Sequence, residues 1–240
     1  MSNPVAPPSD RARGGIATVV VIVVVVIAAA GFAGYWFLIR EDAAAKPKIT
    51  ATKTVEGGSV DGNWTLTAND ANGSFVQYRV HEQFAAGLVD NDATGKSTDV
   101  TGTMTINGKT VSGITVTANL AALKSDKEFR DNALKSRGLE TDKFPTAKFV
   151  ASGPVTLPSA PAKGATVQVE VPGSLTLHGV TKNVTVPIEA RWDGKTVQVV
   201  VKQLNINLPD YSITPPTGGP VAEVDDHGDL ELQLFFTKAG

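Results

Sequence analysis

The pattern of apolar and polar positions changes character twice along the 240 residues. Residues 14–39 contain no charged side chain, and 19–30 are entirely Val, Ile and Ala. A bilayer-spanning helix needs about 20 apolar residues, so this run is long enough to cross with some tilt. Valine is a weak helix former in water. In lipid the backbone must satisfy its own hydrogen bonds, and a helix is the expected outcome. Residues 40–59 then show no sustained periodicity and read as a linker. From residue 60 onward the chain alternates with period two. Val76, Tyr78 and Val80 alternate with Gln77, Arg79 and His81, and Val167, Val169 and Val171 alternate with Gln168 and Glu170. Val184, Val186, Ile188 and Ala190 share one face of the next run, and Leu230, Leu232, Leu234 and Phe236 share one face of the last. One apolar and one polar face per run is the signature of an antiparallel sheet buried on one side.

Tight turns punctuate these runs. Asn107-Gly108 and Asp193-Gly194 each separate two alternating segments, which is a strong hairpin signal. Several strands joined this way predict an all-β barrel or sandwich over 60–240. One segment breaks the alternation. Ser125-Asp126-Lys127-Glu128 has the form of a capping box and Gly138 that of a residue just past a helix end. The expectation is one short helix over 126–137 with Phe129, Ala133 and Leu134 turned toward the sheet. Lys127–Asp131 and Asp131–Lys135 are then i,i+4 ion pairs on its surface.

Charge gives the apolar run a direction. Arg11 and Arg13 precede it, and Arg40, Glu41 and Asp42 follow it. The positive-inside rule keeps the tail, residues 1–13, in the cytoplasm and places everything after the span outside. Tyr35, Trp36 and Phe37 stand where an interfacial aromatic belt belongs. The expected location is therefore the plasma membrane, single-pass, with an extracytoplasmic C-terminal domain. A cleaved signal peptide is the rival, because Ala28-Ala29-Ala30 and Ala43-Ala44-Ala45 offer small-residue cleavage patterns. The length of the apolar run favours the anchor.

Composition removes several classes of chemistry. The net charge of −2 and the scattered basic residues give no reason to expect nucleic acid. The absence of cysteine excludes disulfides, thiol nucleophiles and Cys-based zinc sites. His81, His178 and His227 are dispersed and form no close pair, so no metal is expected. The acidic run 223–229 reads as a solvated hairpin loop. No Ser/His/Asp order, phosphate-cradling glycine loop or Walker motif is present. The chain is not expected to be an enzyme, and no cofactor is implied.

Four groups of residues carry a resemblance. They are Phe75-Val76-Gln77-Tyr78-Arg79-Val80; Arg130-Asp131 with Leu134, Phe144-Pro145, Phe149 and Ser152; the run from Gly173 through His178-Gly179-Val180-Thr181-Lys182; and Leu208-Pro209-Asp210-Tyr211. In this order they resemble the YceI-like family over about 60–238. The resemblance implies a lipocalin-like antiparallel β-barrel with an elongated apolar pocket, and binding of isoprenoid or other long apolar lipid outside the cytoplasm. Val76, Tyr78, Val80, Ile106, Ile114, Val116, Phe149, Leu175, Leu177 and Val186 are the candidate lumen residues. Two positions depart from the family pattern. Glu82 stands where a His is common, with His81 one place early, and His178 stands where Asn is common. Arg130, Asp131, Glu82 and His178 are accordingly candidates either for a lipid head group or for structural ties. The expected function is a non-catalytic, membrane-anchored lipid carrier or reservoir. The alternative is a structural or protein-interaction barrel whose own side chains fill its core.

Overall fold

The computed structural model describes residues 21–31, 34, 43–50, 53–67, 73–84, 89–218 and 221–239. The chain divides into two units, Met1–Arg40 and Glu41–Gly240. In the first, residues 21–31 are helical, with Val21 through Ile27 exposed. No helix among the described residues is long and apolar enough to cross a membrane. The tail 1–13 and, residue 34 apart, the rest of the expected span lie outside the described residues.

The second unit is built from β1 (Gly62–Leu66), β2 (Phe75–Phe84), β3 (Val89–Ser97), β4 (Val100–Asn107), β5 (Thr110–Asn119), β6 (Lys124–Ser125), β7 (Thr146–Ala151), β8 (Val155–Thr156), β9 (Thr166–Leu177), β10 (Val180–Trp192), β11 (Thr196–Asn207) and β12 (Val221–Lys238). Neighbours run β1-β4-β5-β7-β9-β10-β11-β12, and β1 pairs back onto β12 through Trp64↔Lys238 and Thr65↔Thr237. The sheet therefore closes into an antiparallel barrel of eight staves. Four staves are broken into two strands each, one of them being β7 with β8, both of which pair with β5. β1 continues as β2, β4 is preceded by β3, and β5 is extended by β6, with β2 on β12, β3 on β2 and β6 on β3. The break between β3 and β4 is bonded in place. Ser97 Oγ donates to the Asn119 carbonyl at 2.7 Å, and Asn119 Nδ2 donates to Asp99 at 2.7 Å.

The predicted hairpins form as the turn chemistry requires. Gly108, with φ 57°, turns β4 into β5. Asp193 Oδ1 accepts from the backbone of Lys195 at 2.9 Å and Thr196 at 2.8 Å, turning β10 into β11. Two apolar clusters line opposite ends of the barrel. One gathers Trp64, Ile106, Trp192, Val197, Leu234 and Phe236 near these hairpins. The other gathers Leu120, Leu123, Ala147, Leu177, Ile206 and Tyr211 near the far end. Trp64 is 1 % exposed and satisfies its indole N–H on the Val60 carbonyl at 2.8 Å.

Three expectations need correction. The helix, here α1, spans Glu128–Ser136, and Gly138 just past it has φ 58°. Lys127 at its N-cap makes no side-chain cap bond. Asp131 accepts instead from Ser125 N (2.8 Å) and Ser125 Oγ (2.7 Å), and its ion pair is with Lys124 at 3.6 Å. The buried face of α1 carries Arg130 and Asp131, and Leu134 packs on the second apolar cluster as expected, while Phe129 is 40 % exposed. A buried ion pair to β2 sets this rotation, and it outweighs the burial of one aromatic ring. Second, residues 223–229 belong to β12 rather than to a loop, pairing with β2 and β11 across register shifts. Third, residues 43–50 are not a free linker. Their backbone is held on the outside of the barrel by Arg79 (to Ala44 O, 2.5 Å), Thr94 (from Ala44 N, 3.3 Å) and Gln198 (from Thr50 N, 2.9 Å; to Lys48 O, 3.1 Å). Under this strap Glu231 is fully buried, bonded to Gln77 and to Arg79 Nε at 2.8 Å.

Candidate functional site: a divided apolar lumen

The inward faces of the staves do not fill the barrel. A first chamber of ≈ 140 Å³ lies toward the β4–β5 and β10–β11 hairpins, and a second of ≈ 130 Å³ lies toward α1. The walls of the first include Val76, Ile106, Ile114, Val116, Phe149, Leu175 and Val186. Those of the second include Val76, Tyr78, Val80 and Leu177. All ten candidate lumen residues are therefore wall residues. Alternation identifies them, because inward positions of a barrel strand recur every second residue.

Glycine opposite aromatic keeps the interior hollow. Gly95 on β3 is the cross-strand partner of Tyr78, and a Cβ there would come within 2.6 Å of the ring. The Phe149 ring lies over Gly173, and the Phe236 ring lies 3.3 Å from where a Gly102 Cβ would stand. Each ring folds back against the barrel wall instead of projecting to the axis. A glycine inside a strand signals such close approach, so these pairs were detectable in the sequence once the registers were known. The walls also include Met104, Ala147, Trp192, Val199, Leu230 and Leu232. The alternation in β12 carried the same signal for Leu230 and Leu232.

The four candidate head-group residues line neither chamber. Arg130 grips Glu82 with two bonds, Nε to Oε1 at 3.2 Å and Nη2 to Oε2 at 2.8 Å, while Nη1 reaches Asp126 at 2.8 Å. The Arg130 and Glu82 side chains are 5 % and 6 % exposed. This fork-on-fork pairing commits the guanidinium and ties α1 to β2. Asp131 ties α1 to β6 through Ser125. His178, at φ 51° in the β9–β10 turn, joins two further loops. Its Nδ1 is 3.0 Å from the Tyr211 carbonyl oxygen and its Nε2 is 2.9 Å from Glu140 Oε2, with the Phe144 ring edge-on at 4.4 Å. Lys143, 2.5 Å from Oε1, and then His178 hold the Glu140 carboxyl below the ordinary carboxylate range. All four residues thus serve as ties holding α1 and the loops beside it as a cap over the second chamber. Among the described residues no group of three His, Cys, Asp or Glu is arranged to hold a metal.

A closed antiparallel barrel with a hollow apolar interior and a helix at one end defines the class of single-domain barrels that enclose space. Residues 64–236 match the YceI-like domain, and the chain belongs to the YceI-like family. The Protein YceI of Salmonella newport is 29 % identical over 163 residues, covering 63 % of this chain and 77 % of that protein. The Salmonella arizonae protein matches equally. Among solved structures, a polyisoprenoid binding domain from Saccharophagus degradans superposes with a TM-score of 0.55 at 15 % identity, covering 75 % of this chain and 99 % of that one. BcnA of Burkholderia cenocepacia gives 0.51 at 19 % identity, covering 68 % and 96 %. At these identities the structural likeness establishes the fold.

Proposed function

We propose that this chain is a membrane-anchored, extracytoplasmic binding protein for isoprenoid or another long apolar lipid, acting as carrier or reservoir without chemistry. The observation that carries the reading is the hollow interior. Lys148 and Arg191 are the only charged residues on the first chamber's walls among the described residues. Burying hydrocarbon against such walls gains roughly 25 cal/mol per Å² of apolar surface removed from water. A long chain therefore needs no specific polar contact to bind. Fold likeness to a domain described as polyisoprenoid binding supports the same ligand class. A barrel serving only as a structural or interaction module has no use for an interior left unfilled, since voids cost stability.

Organic extraction of the purified protein followed by mass spectrometry tests the ligand. A prenyl or comparable long-chain lipid near one per protein is expected, and a lipid-free extract under mild purification sinks the carrier reading. The anchor rests on residues 14–39 and their flanking charges. Immunoblots of membrane and supernatant fractions should find the full-length chain with the membrane. A soluble product beginning near residue 31 or 46 would replace the anchor with a cleaved signal.

A further inference from the structure

We propose that Ala147 sets the length of hydrocarbon chain the barrel accepts, because it forms one side of a neck between the two chambers. The inference rests on the lipid-binding reading and specifies where its selectivity lies. Val76, Ala147 and Leu230 are walls of both chambers. In the closed stave order, β7 and β12 are four steps apart in either direction, so Ala147 and Leu230 come from opposite sides of the barrel. Val76 is beside Leu230 on the same inward face, since Val76 pairs with Leu232 and Tyr78 with Leu230. Two branched side chains thus meet a single methyl group across the axis.

The next inward residue on β7 is Phe149, whose ring could block this passage. It does not, because the ring lies over Gly173. Gly173 pairs with Ala151, on the side of Phe149 away from Ala147. The bare α-carbon at 173 draws the ring off the neck, and the small side chain at 147 leaves the gap.

Size makes the neck matter. Chambers of ≈ 140 and ≈ 130 Å³ are in the range of an engineered cavity of about 150 Å³ that binds benzene. A chain of several isoprene units exceeds either chamber alone and must thread the neck to bury its full length. A short chain has no such need. The three neck residues are all apolar, so only hydrocarbon crosses between chambers and a polar head stays at one end. A rigid fused-ring lipid, unable to narrow at the neck, is excluded from the second chamber.

The test uses the full-length chain in detergent, stripped of lipid, and titrated with farnesol and with the much longer solanesol. Wild type should bind solanesol about tenfold more tightly than farnesol. Ala147→Leu, which fills the neck, should weaken solanesol binding far more than farnesol binding and so remove the solanesol advantage. Ala147→Val, a smaller step that suits a strand, carries the same test with a partial loss if the leucine variant does not melt cooperatively. An undiminished preference for solanesol in a folded variant overturns the neck while leaving lipid binding intact. Wild type that binds neither alcohol overturns the lipid-binding reading and the neck with it.

Discussion

At the hairpin end of the barrel, Trp64, Ile106, Val197 and Phe236 interlock across short turns and close the structure by apolar packing. At the α1 end, apolar packing around Leu120, Ile206 and Tyr211 is joined by polar ties, Arg130–Glu82, Asp131–Ser125 and Glu140–His178–Tyr211, each linking α1 or a loop beside it to a different strand or turn. The two ends therefore answer to different variables. Apolar packing is non-directional and involves no titratable group. Buried polar ties gain little net stability over well-packed hydrophobic residues, yet they fail badly when one partner is lost. The conditional end is the one beneath which the second chamber lies.

Truncating the hairpin end should do most damage. Phe236→Ala removes a ring that is 2 % exposed and should cost about 3–5 kcal/mol, read as a fall in the urea midpoint. At the α1 end, Glu82→Ala strands Arg130 at a nearly buried site. The expected cost is about 3 kcal/mol, at the low end for a broken buried pair because Asp126 still holds the guanidinium. The comparison sharpens in the double variant. Replacing Glu82 and Arg130 together by Met should restore most of that loss, whereas no second change of polarity rescues Phe236→Ala. If the double variant is as unstable as Glu82→Ala, the tie contributes packing rather than charge, and the contrast between the ends collapses.

How far this contrast is legible in the sequence depends on the range of the interaction. Alternation and the Asn107-Gly108 and Asp193-Gly194 turns are local, and they predict β4, β5, β9, β10 and β11 and the lumen faces. The helix is legible in position from Gly138 but only partly in rotation, since Leu134 packs inward as expected and Phe129 does not. Phe129 and Arg130 are adjacent, and which of them turns inward is decided by Glu82, 48 residues away. The strand character of 223–229 is similarly hidden, because it comes from pairing on both sides across bulges rather than from hydrophobic rhythm. The strap at 43–50 has no periodicity to read, being held by side chains of β2, β3 and β11. Whether the barrel is filled or hollow turns on cross-strand partners such as Tyr78 with Gly95, which alternation alone leaves open.

pH separates the ends more gently. Glu140 is held below the ordinary carboxylate range by Lys143 and His178. A carboxyl depressed in the folded state contributes stability that is complete above its unfolded pKa and is lost as pH falls through the folded value. Acidification through and below the carboxylate range should therefore loosen the cap first. Amide hydrogen exchange at Phe144, whose N–H bonds Glu140 O at 2.9 Å, and at Ser212 should accelerate, while Val197 at the hairpin end stays protected. Glu140→Gln should flatten this response. Uniform loss of protection at both ends would mean that global acid unfolding, not the cap, is being observed.

The smallest effect should come from the outer wall, where the strap crosses β11 and β12. Gln198 is 5 % exposed and uses its amide to hold both Thr50 N and Lys48 O. Gln198→Ala removes both bonds, and a third from its Nε2 to Gln233 Oε1 at 3.2 Å, without touching the lumen, and the expected cost is about 1 kcal/mol. Thermal melting will barely register that, but proteolysis will. Lys46 precedes Pro47, which leaves Lys48 as the trypsin site in 43–50. Cleavage after Lys48 should speed up severalfold in the variant while lipid stoichiometry is unchanged. The strap lies on the polar outer faces of strands whose inner faces wall the chambers. Accelerated cleavage together with loss of lipid would show that it supports the lumen from behind, and that the outer and inner faces of β12 are coupled.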